Sequence, residues 1–250
     1  MDASSYALYH GVRRTRTTLR AWQESPLPVL GAWIGGSAFA AAGLLAAVLL
    51  IATVSAGYVQ PIELRPPFAV GDGDDVATVL SHNLLVLALH AMACVAGFIA
   101  GSSLPLQAES KSGISRWVHE HGGRIAIAFV VCATTFSLSA QAYLLGHTLA
   151  GVAHFVNVPP ALLLLGLLPH ALPELIALFL PLAAWIIASR KGEWDQLLAA
   201  TVVTVAIALP VLVASAFIEV YVSPHLFTML TGIHPPIVGV WDGFTVRVHG

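Results

Sequence analysis

The side chains best suited to chemistry in this chain lie in an apolar segment where charged groups are costly. His170 and Glu174 are four residues apart within residues 159–190, a stretch that is otherwise almost wholly apolar. A carboxylate near the centre of a bilayer costs at least about 2.5–3.5 kcal/mol, so an ionisable residue at that depth is expected to have a function. On a continuous helix, two residues four apart share one face.

A histidine and a glutamate on one helix face are compatible with three kinds of site. They could relay protons or ions, bind a divalent metal, or form a hydrogen-bonded strut between helices. A metal would need further ligands, and the chain has no HExxH pattern and no second strong ligand pair at helical spacing. The three alternatives stay open, with the strut favoured. We predict no metal, no cofactor and no catalytic residue.

Composition indicates that the elements around this pair are membrane spans. Hydrophobic residues make up 57% of the chain, charged residues 10%, and the mean hydropathy is +0.82. Soluble domains carry about 25% charged residues, so this chain cannot cover a soluble globule with charged groups. A spanning helix needs about 20 consecutive apolar residues. Five stretches of that kind occur, at residues 29–56, 80–101, 125–146, 159–189 and 197–222.

These stretches predict an all-α fold, a polytopic transmembrane helical bundle with five spans. They are rich in Ala, Leu and Val and do not alternate, which favours helices over barrel strands. We predict three parts: a cytoplasmic N-terminal segment (residues 1–25), a transmembrane domain (26–224) and an extracytoplasmic tail (225–250). The first part is expected to be either an amphipathic surface helix or a disordered leader.

The basic residues predict the orientation. Nine of the eleven Lys and Arg residues fall in the N-terminal segment and in the second and fourth loops, and two fall on the other side. Because basic loops stay in the cytoplasm, the N-terminus is expected inside and the C-terminus outside. Topology accounts for these charges, so no nucleic-acid partner is expected.

The fourth span is too long for one simple crossing. Its 32 residues would make about 48 Å of straight helix, against a hydrocarbon core of about 30 Å. Pro169 and Pro173 lie near the excess, and a proline removes a backbone hydrogen bond. We predict a broken, re-entrant segment, with a half-helix over residues 159–168 and a full span from about residue 171. The alternative is a kinked but continuous helix.

Depth along the spans predicts that several polar groups meet in the outer half of the bilayer. Glu174 lies about 24 Å from the inner end of its span, and Glu219 lies about 33 Å along the fifth. The second span contributes His82 and Asn83 at its outer end and His90 about two turns deeper. The predicted buried cluster contains His170, Glu174, Glu219, Asn83, His82 and His90.

Small residues four apart predict close helix packing. Gly31 and Gly35 form such a pair in the first span, and Gly97 and Gly101 form another in the second. Small residues at this spacing let helix backbones approach closely. We predict that the chain forms a homo-oligomer, taken as a dimer, in contact with lipid and with possible protein partners of a membrane complex.

The polar motifs of the last two spans resemble the stage II sporulation protein M family of integral membrane proteins. The Pro-His-Gly-x-x-Glu signature of that family corresponds to Pro169, His170 and Glu174, with alanine at position 171. Its Glu-x-x-x-(Ser/Thr)-Pro signature corresponds to Glu219, Ser223 and Pro224. Its Asn-Asn pair is matched by Asn83 alone, with histidine at position 82. The resemblance extends over residues 80–224.

This resemblance implies a polytopic membrane protein that is not an enzyme. The namesake of the family anchors cell-wall hydrolases at the septal membrane of endospore formers, and relatives occur in prokaryotes that never sporulate, so sporulation is not expected here. We therefore predict a non-enzymatic scaffold or assembly component of the cytoplasmic membrane of a prokaryote, with a buried His/Glu cluster in the outer half of the bilayer. The alternative is a transporter or channel subunit that uses the cluster as a proton or substrate site.

Overall fold

The computed structural model describes residues 3–57, 73–103 and 112–232, and the regular structure of these residues is helical. Two π-helical turns, Ile99–Ser103 and Ile218–Val222, and one 3₁₀ turn, Trp194–Gln196, connect or extend the α-helices. The α-helices are α1 Ala3–Glu24, α2 Pro26–Ser55, α3 Gly73–Phe98, α4 Gly113–Phe155, α5 Pro160–Lys191, α6 Leu197–Phe217 and α7 Ser223–Thr231.

Five helical segments are long and apolar enough to cross a membrane. Their bounds are Pro26–Ser55, Gly73–Gly101, His119–Phe155, Pro160–Lys191 and Trp194–Thr231. The predicted all-α bundle with five spans is therefore confirmed. The last span continues through α7, beyond the predicted limit at residue 224, and residues 233–250 lie outside the described residues.

Local sequence accounts for where these helices start and stop. Proline occupies the first turn of α2, where its missing N–H would have no helical partner. Asn157, at φ 54°, reverses the chain between α4 and α5, and asparagine tolerates this left-handed conformation. Gly192 ends α5 at φ 72°, and its N–H donates to the carbonyls of Ala188 and Ser189, as expected for a glycine C-cap.

The proline-rich helix α5 forms the centre of the bundle, and α4 lies at its edge. The apolar part of α5 is 56% buried, whereas that of α4 is 6% buried. Helices α2, α3 and α6 pack around α5. One core cluster joins Leu87 of α3, Leu178 of α5 and Leu212 of α6. A functional group on α5 is therefore surrounded by protein rather than by lipid.

The predicted break in the fourth span is wrong. Helix α5 runs without interruption from Pro160 to Lys191, with Pro169, Pro173 and Pro181 inside it. A proline deprives one backbone carbonyl of its partner, but in a membrane neighbouring helices can satisfy the freed groups. The excess length needs no break either, because α2 has 30 residues and α4 has 43. Several helices thus project beyond the hydrocarbon core together.

The third span is longer at its N-terminal end than the sequence predicted. Helix α4 begins at Gly113, whereas its apolar run was placed at residues 125–146. Residue pairs one turn apart stabilise the added segment. Arg116 forms an ion pair of 2.6 Å with Glu120, and Trp117 stacks on His121 with ring centroids 4.8 Å apart. Residues 113–124, which precede the predicted apolar run, are therefore helical.

Helix α1 packs against the end of the bundle that contains the basic residues, which we call the basic end. Arg14 forms an ion pair of 2.6 Å with Asp195 of the 3₁₀ turn, although a pair this exposed contributes little stability. Trp22 packs edge-on against Trp33 of α2, with ring centroids 5.1 Å apart. Residues 3–24 thus form a helix that contacts the bundle, and the placement of this helix at the membrane surface stays a prediction.

Candidate buried polar site

A hydrogen bond between α5 and α7 joins two residues that are 53 positions apart in sequence. His170 is 6% exposed, and its Nδ1 lies 2.7 Å from Ser223 Oγ. The hydroxyl of Ser223 donates its proton to the carbonyl of Ile218, at 3.2 Å. Because this uses the serine proton, Ser223 Oγ accepts from the N–H at His170 Nδ1. The Nε2 of a neutral His170 is then free to accept a hydrogen bond.

The π-helical turn before α7 explains the position of Ser223. Pro224 has no N–H, and its ring would clash with the carbonyl four residues earlier in a regular α-helix. The chain instead widens over Ile218–Val222, a change of register that often occurs at functional sites. The carbonyl of Ile218 accepts both the backbone N–H and the hydroxyl of Ser223. The same turn carries Glu219.

Glu174 lies one turn beyond His170 on α5, next to polar groups from two other spans. Asn83 of α3 and Glu219 of the π-turn are the side chains that act electrostatically on its carboxylate. Asn83 is buried, at 9% exposed. Asn83 lies close enough to Glu174 to act on its carboxylate as a hydrogen-bond donor, although neither Asn83 Nδ2 nor Glu174 Oε2 has a partner in good hydrogen-bond geometry among the described residues. A buried polar atom that is poorly satisfied costs up to about 1–3 kcal/mol.

The structure thus shows two sets of neighbours, His170 with Ser223 and Glu174 with Asn83 and Glu219, and His170 and Glu174 lie one turn apart on α5. The pair of carboxylates, Glu174 and Glu219, could hold a proton, because two ionised carboxylates close together in a low dielectric repel each other. The site also forms a strut, since His170 and Ser223 tie α5 to α7. In the described part of the chain, no group of three His, Cys, Asp or Glu residues is arranged to hold a metal.

His82 and His90 do not belong to either set of neighbours. His82 is exposed on α3, one position before the buried Asn83, and successive residues on a helix point in different directions. His90 lies about two turns deeper, where its Nδ1 is 2.8 Å from the carbonyl of Leu178. Its ring packs on Phe179 with centroids 5.9 Å apart. Depth along the span could not show which residues of α3 face the bundle and which are exposed.

Two side chains of α3 hold the backbone of α5 around its buried proline. His90 contacts the carbonyl of Leu178, and one turn later Cys94 Sγ donates to the carbonyl of Pro181 at 3.2 Å. Pro181 has no N–H and so weakens the backbone hydrogen bonding of this turn. The two contacts therefore tie α3 to α5 near the carbonyl of Ala177, which Pro181 leaves without its helical donor, but neither contact reaches that carbonyl itself. Residue patterns cannot predict this contact of Cys94, because its partner is a backbone carbonyl.

The two glycine pairs differ in what they contact. A Cβ at Gly97 would overlap the ring of Trp185 and lie 2.9 Å from Leu197, and one at Gly101 would overlap Trp194. At Gly31 and Gly35 a Cβ would meet nothing within 4 Å. Gly97 and Gly101 thus allow close packing within the chain rather than between copies. Gly31 and Gly35 pack against none of the described residues.

Comparison with known proteins adds no assignment to this geometry. No family model, no curated protein and no solved structure matches the chain. The resemblance to the stage II sporulation protein M family stays a prediction that rests on the residues of the two motifs. Function must therefore be argued from the five-span fold, the buried polar site and the exposed surface.

Proposed function

We propose that the protein is a non-enzymatic scaffold of the prokaryotic cytoplasmic membrane that assembles with copies of itself through α4. The observation that carries this proposal is the presence of exposed polar side chains on α4 at membrane depth. Ser137 and Gln141 are both exposed. Gln141 lies about 21 Å along the helix from its end at Phe155, well inside the apolar span.

Helix α4 is attached to the bundle along one edge. A Cβ at Gly146 would lie 2.7 Å from the side chain of Ile51 on α2, so the two helices approach closely there. Ala142 and Leu149 are buried on the same edge. The rest of α4 is largely uncovered by this chain. A single copy therefore leaves most of this span to lipid or to a neighbouring protein.

The amide of Gln141 is not satisfied by its own chain. Its Nε2 donates to Ser137 Oγ at 3.2 Å, and no further hydrogen bond of Gln141 is found in the described structure. The second N–H and the carbonyl oxygen would face hydrocarbon, where an unpaired amide costs about 2–7 kcal/mol. Polar side chains of this kind form hydrogen bonds across helix interfaces in membranes. A covering helix would remove this cost.

A second copy of the chain suits this face because an amide is both a donor and an acceptor. In a twofold interface the same patch meets itself, so Gln141 of one copy can donate to Gln141 of its partner and accept in return. The motifs that resemble the stage II sporulation protein M family support a scaffold role. The excess of basic residues at one end supports a cytoplasmic location for the N-terminus.

The molecular mass of the purified protein tests the assembly. We expect the wild type, in a mild detergent, to have at least twice the chain mass of 26.2 kDa. Gln141→Leu should dissociate it, because the variant removes the polar contact and leaves an apolar surface. The matched control is Ser139→Leu, which changes an exposed residue on the opposite side of α4. A monomeric wild type, or equal dissociation by both variants, would contradict the proposal.

A transporter or channel subunit is the second candidate, and the poorly satisfied polar atoms of Asn83 and Glu174 favour it. A buried carboxylate and a buried amide that lie close together without a hydrogen bond of good geometry could take up a proton or a small substrate. This candidate uses the polar site as a binding site and not solely as a strut. The two candidates therefore predict different results for the flux of protons through the wild type and through Glu174→Gln.

Flux through reconstituted vesicles separates the two candidates. If the site carries protons, the wild type should dissipate a proton gradient, and Glu174→Gln should abolish the flux while leaving the unfolding temperature unchanged. Glu24→Gln, which alters an exposed carboxylate outside the site, is the control. The scaffold proposal expects no flux above that of empty vesicles for any of the three proteins, so measurable wild-type flux would favour the transporter.

A further inference from the structure

The basic end of the bundle contains a cavity bounded by α1, α2 and α6. Its volume is about 590 Å³, within the range of about 300–1,000 Å³ found for ligand pockets. The cavity adjoins Pro26, where the first span begins, so it lies at the level of lipid headgroups. Its wall combines apolar side chains with two arginines, among them Leu19, Trp22, Leu30, Val203, Arg16 and Arg20.

None of the described residues neutralises the two arginines at this cavity. Arg16 and Arg20 are four residues apart on α1, so they share a face and repel each other. Neither forms a hydrogen bond or an ion pair within the described residues, and this includes Glu24, one turn beyond Arg20. Arg14 on the same helix, by contrast, is paired with Asp195 at 2.6 Å. The cavity thus has an unbalanced positive rim.

A second apolar cavity adjoins the first through a shared residue. It has a volume of about 370 Å³, and Arg16 contributes to its wall together with Val95 of α3 and Leu198 of α6. Arg16 therefore borders apolar space on both sides of α1. A free anion would use the charge of Arg16 but neither apolar wall, whereas a ligand with a phosphate and acyl chains would use all three.

We propose that Arg16 and Arg20 bind the phosphate of an anionic phospholipid whose acyl chains occupy the adjoining apolar cavities. Guanidinium groups bind phosphate through paired, charge-assisted hydrogen bonds. The cytoplasmic leaflet, which the basic end is expected to face, is rich in anionic lipids. The bound lipid would fix α1 against α2 and α6. This site is independent of the α4 interface.

Lipid titration followed by native mass spectrometry tests the site. The full chain, delipidated in a neutral detergent, is titrated with phosphatidylglycerol, and we expect one tightly bound lipid with weaker binding of phosphatidylcholine. Arg16→Gln with Arg20→Gln should weaken phosphatidylglycerol binding by at least about tenfold, since each basic contact contributes severalfold. Arg13→Gln with Arg190→Gln is the matched control, because it removes two charges from the same end without touching the cavity.

A variant of the apolar wall distinguishes a lipid from a free anion. Val203→Trp should fill the cavity and lower phosphatidylglycerol binding while both arginines remain. Competition by millimolar inorganic phosphate should be weak. Equal loss of binding in the two double variants would overturn the proposal, as would unchanged binding in Arg16→Gln with Arg20→Gln. Full displacement of the lipid by inorganic phosphate would assign the site to a soluble anion and would also overturn it.

Discussion

Replacing Gly97 by leucine is expected to destabilise the bundle by about 3 kcal/mol or more, the upper range for overpacking of a core. A side chain at this position would overlap Trp185, which is 1% exposed and cannot move aside, and would lie within 2.9 Å of Leu197. The predicted effect is a large fall in unfolding temperature or a loss of folded protein. Thermal unfolding of the detergent-solubilised variant measures it.

Gly35→Leu is the matched control for this substitution. It makes the same chemical change in a neighbouring span, but a Cβ at Gly35 meets nothing within 4 Å. Leucine also has a higher helix propensity than glycine, by roughly 0.5–1 kcal/mol. We therefore expect Gly35→Leu to leave the stability unchanged or slightly higher. Equal destabilisation by the two variants would show that Gly97 has no special packing role.

Replacing Ser223 by alanine is expected to lower stability by about 1–3 kcal/mol, because it leaves the buried N–H of His170 without an acceptor. Ser223 also donates to the carbonyl of Ile218 in the π-turn, so the turn before α7 should loosen as well. Unfolding by a graded denaturing detergent would measure the change. A fall in protection of α7 from hydrogen exchange would locate it.

Two further variants separate the strut from the general cost of removing a buried hydroxyl. Ser37→Ala removes a serine that is also buried, but whose hydroxyl bonds only within its own helix, to the carbonyl of Trp33 at 2.7 Å. We expect a smaller loss there. His170→Phe combined with Ser223→Ala should cost less than the sum of the single variants, as expected for residues in contact. Strict additivity would argue against the strut.

The spans could be predicted from sequence because they depend on composition and length, which are local properties. The continuity of α5 could not, because it depends on neighbours. Proline rules for an isolated helix count the hydrogen bonds that Pro169 and Pro173 remove, but they do not count the packing of α2, α3 and α6 around α5. A rule for a single helix therefore predicted a break that does not occur in the packed bundle.

The polar site could be predicted only in part, because it too depends on how neighbouring helices face each other. Depth along each span brought His170, Glu174, Glu219 and Asn83 to one level, which sequence spacing can estimate. It could not show which face of α3 points inward, and so it included the exposed His82. Ser223 contacts His170 because a π-turn changes the register before Pro224. Apolar periodicity carries no signal for that change of register.

The glycine pairs show a further limit of sequence reasoning. Spacing indicated correctly that Gly97 permits close approach, but it could not identify the partner as Trp185 of the same chain. Only a three-dimensional structure could show that Gly97 contacts its own chain rather than another copy. The exposed Gln141 on α4 was likewise not identified from sequence, because a single amide in an apolar run does not reveal whether the bundle covers it.

Cysteine cross-linking in native membranes tests the proposed α4 interface most directly. Cys132 is exposed and is first replaced by alanine, whereas Cys94 is buried and can remain. Ser137→Cys is then compared with Ser139→Cys, which lies on the opposite side of the same helix. Self-assembly through α4 predicts that mild oxidation converts most of the Ser137→Cys chain to a disulfide dimer and little of the Ser139→Cys chain. Absence of a Ser137→Cys dimer, or equal dimer from both positions, would contradict the account.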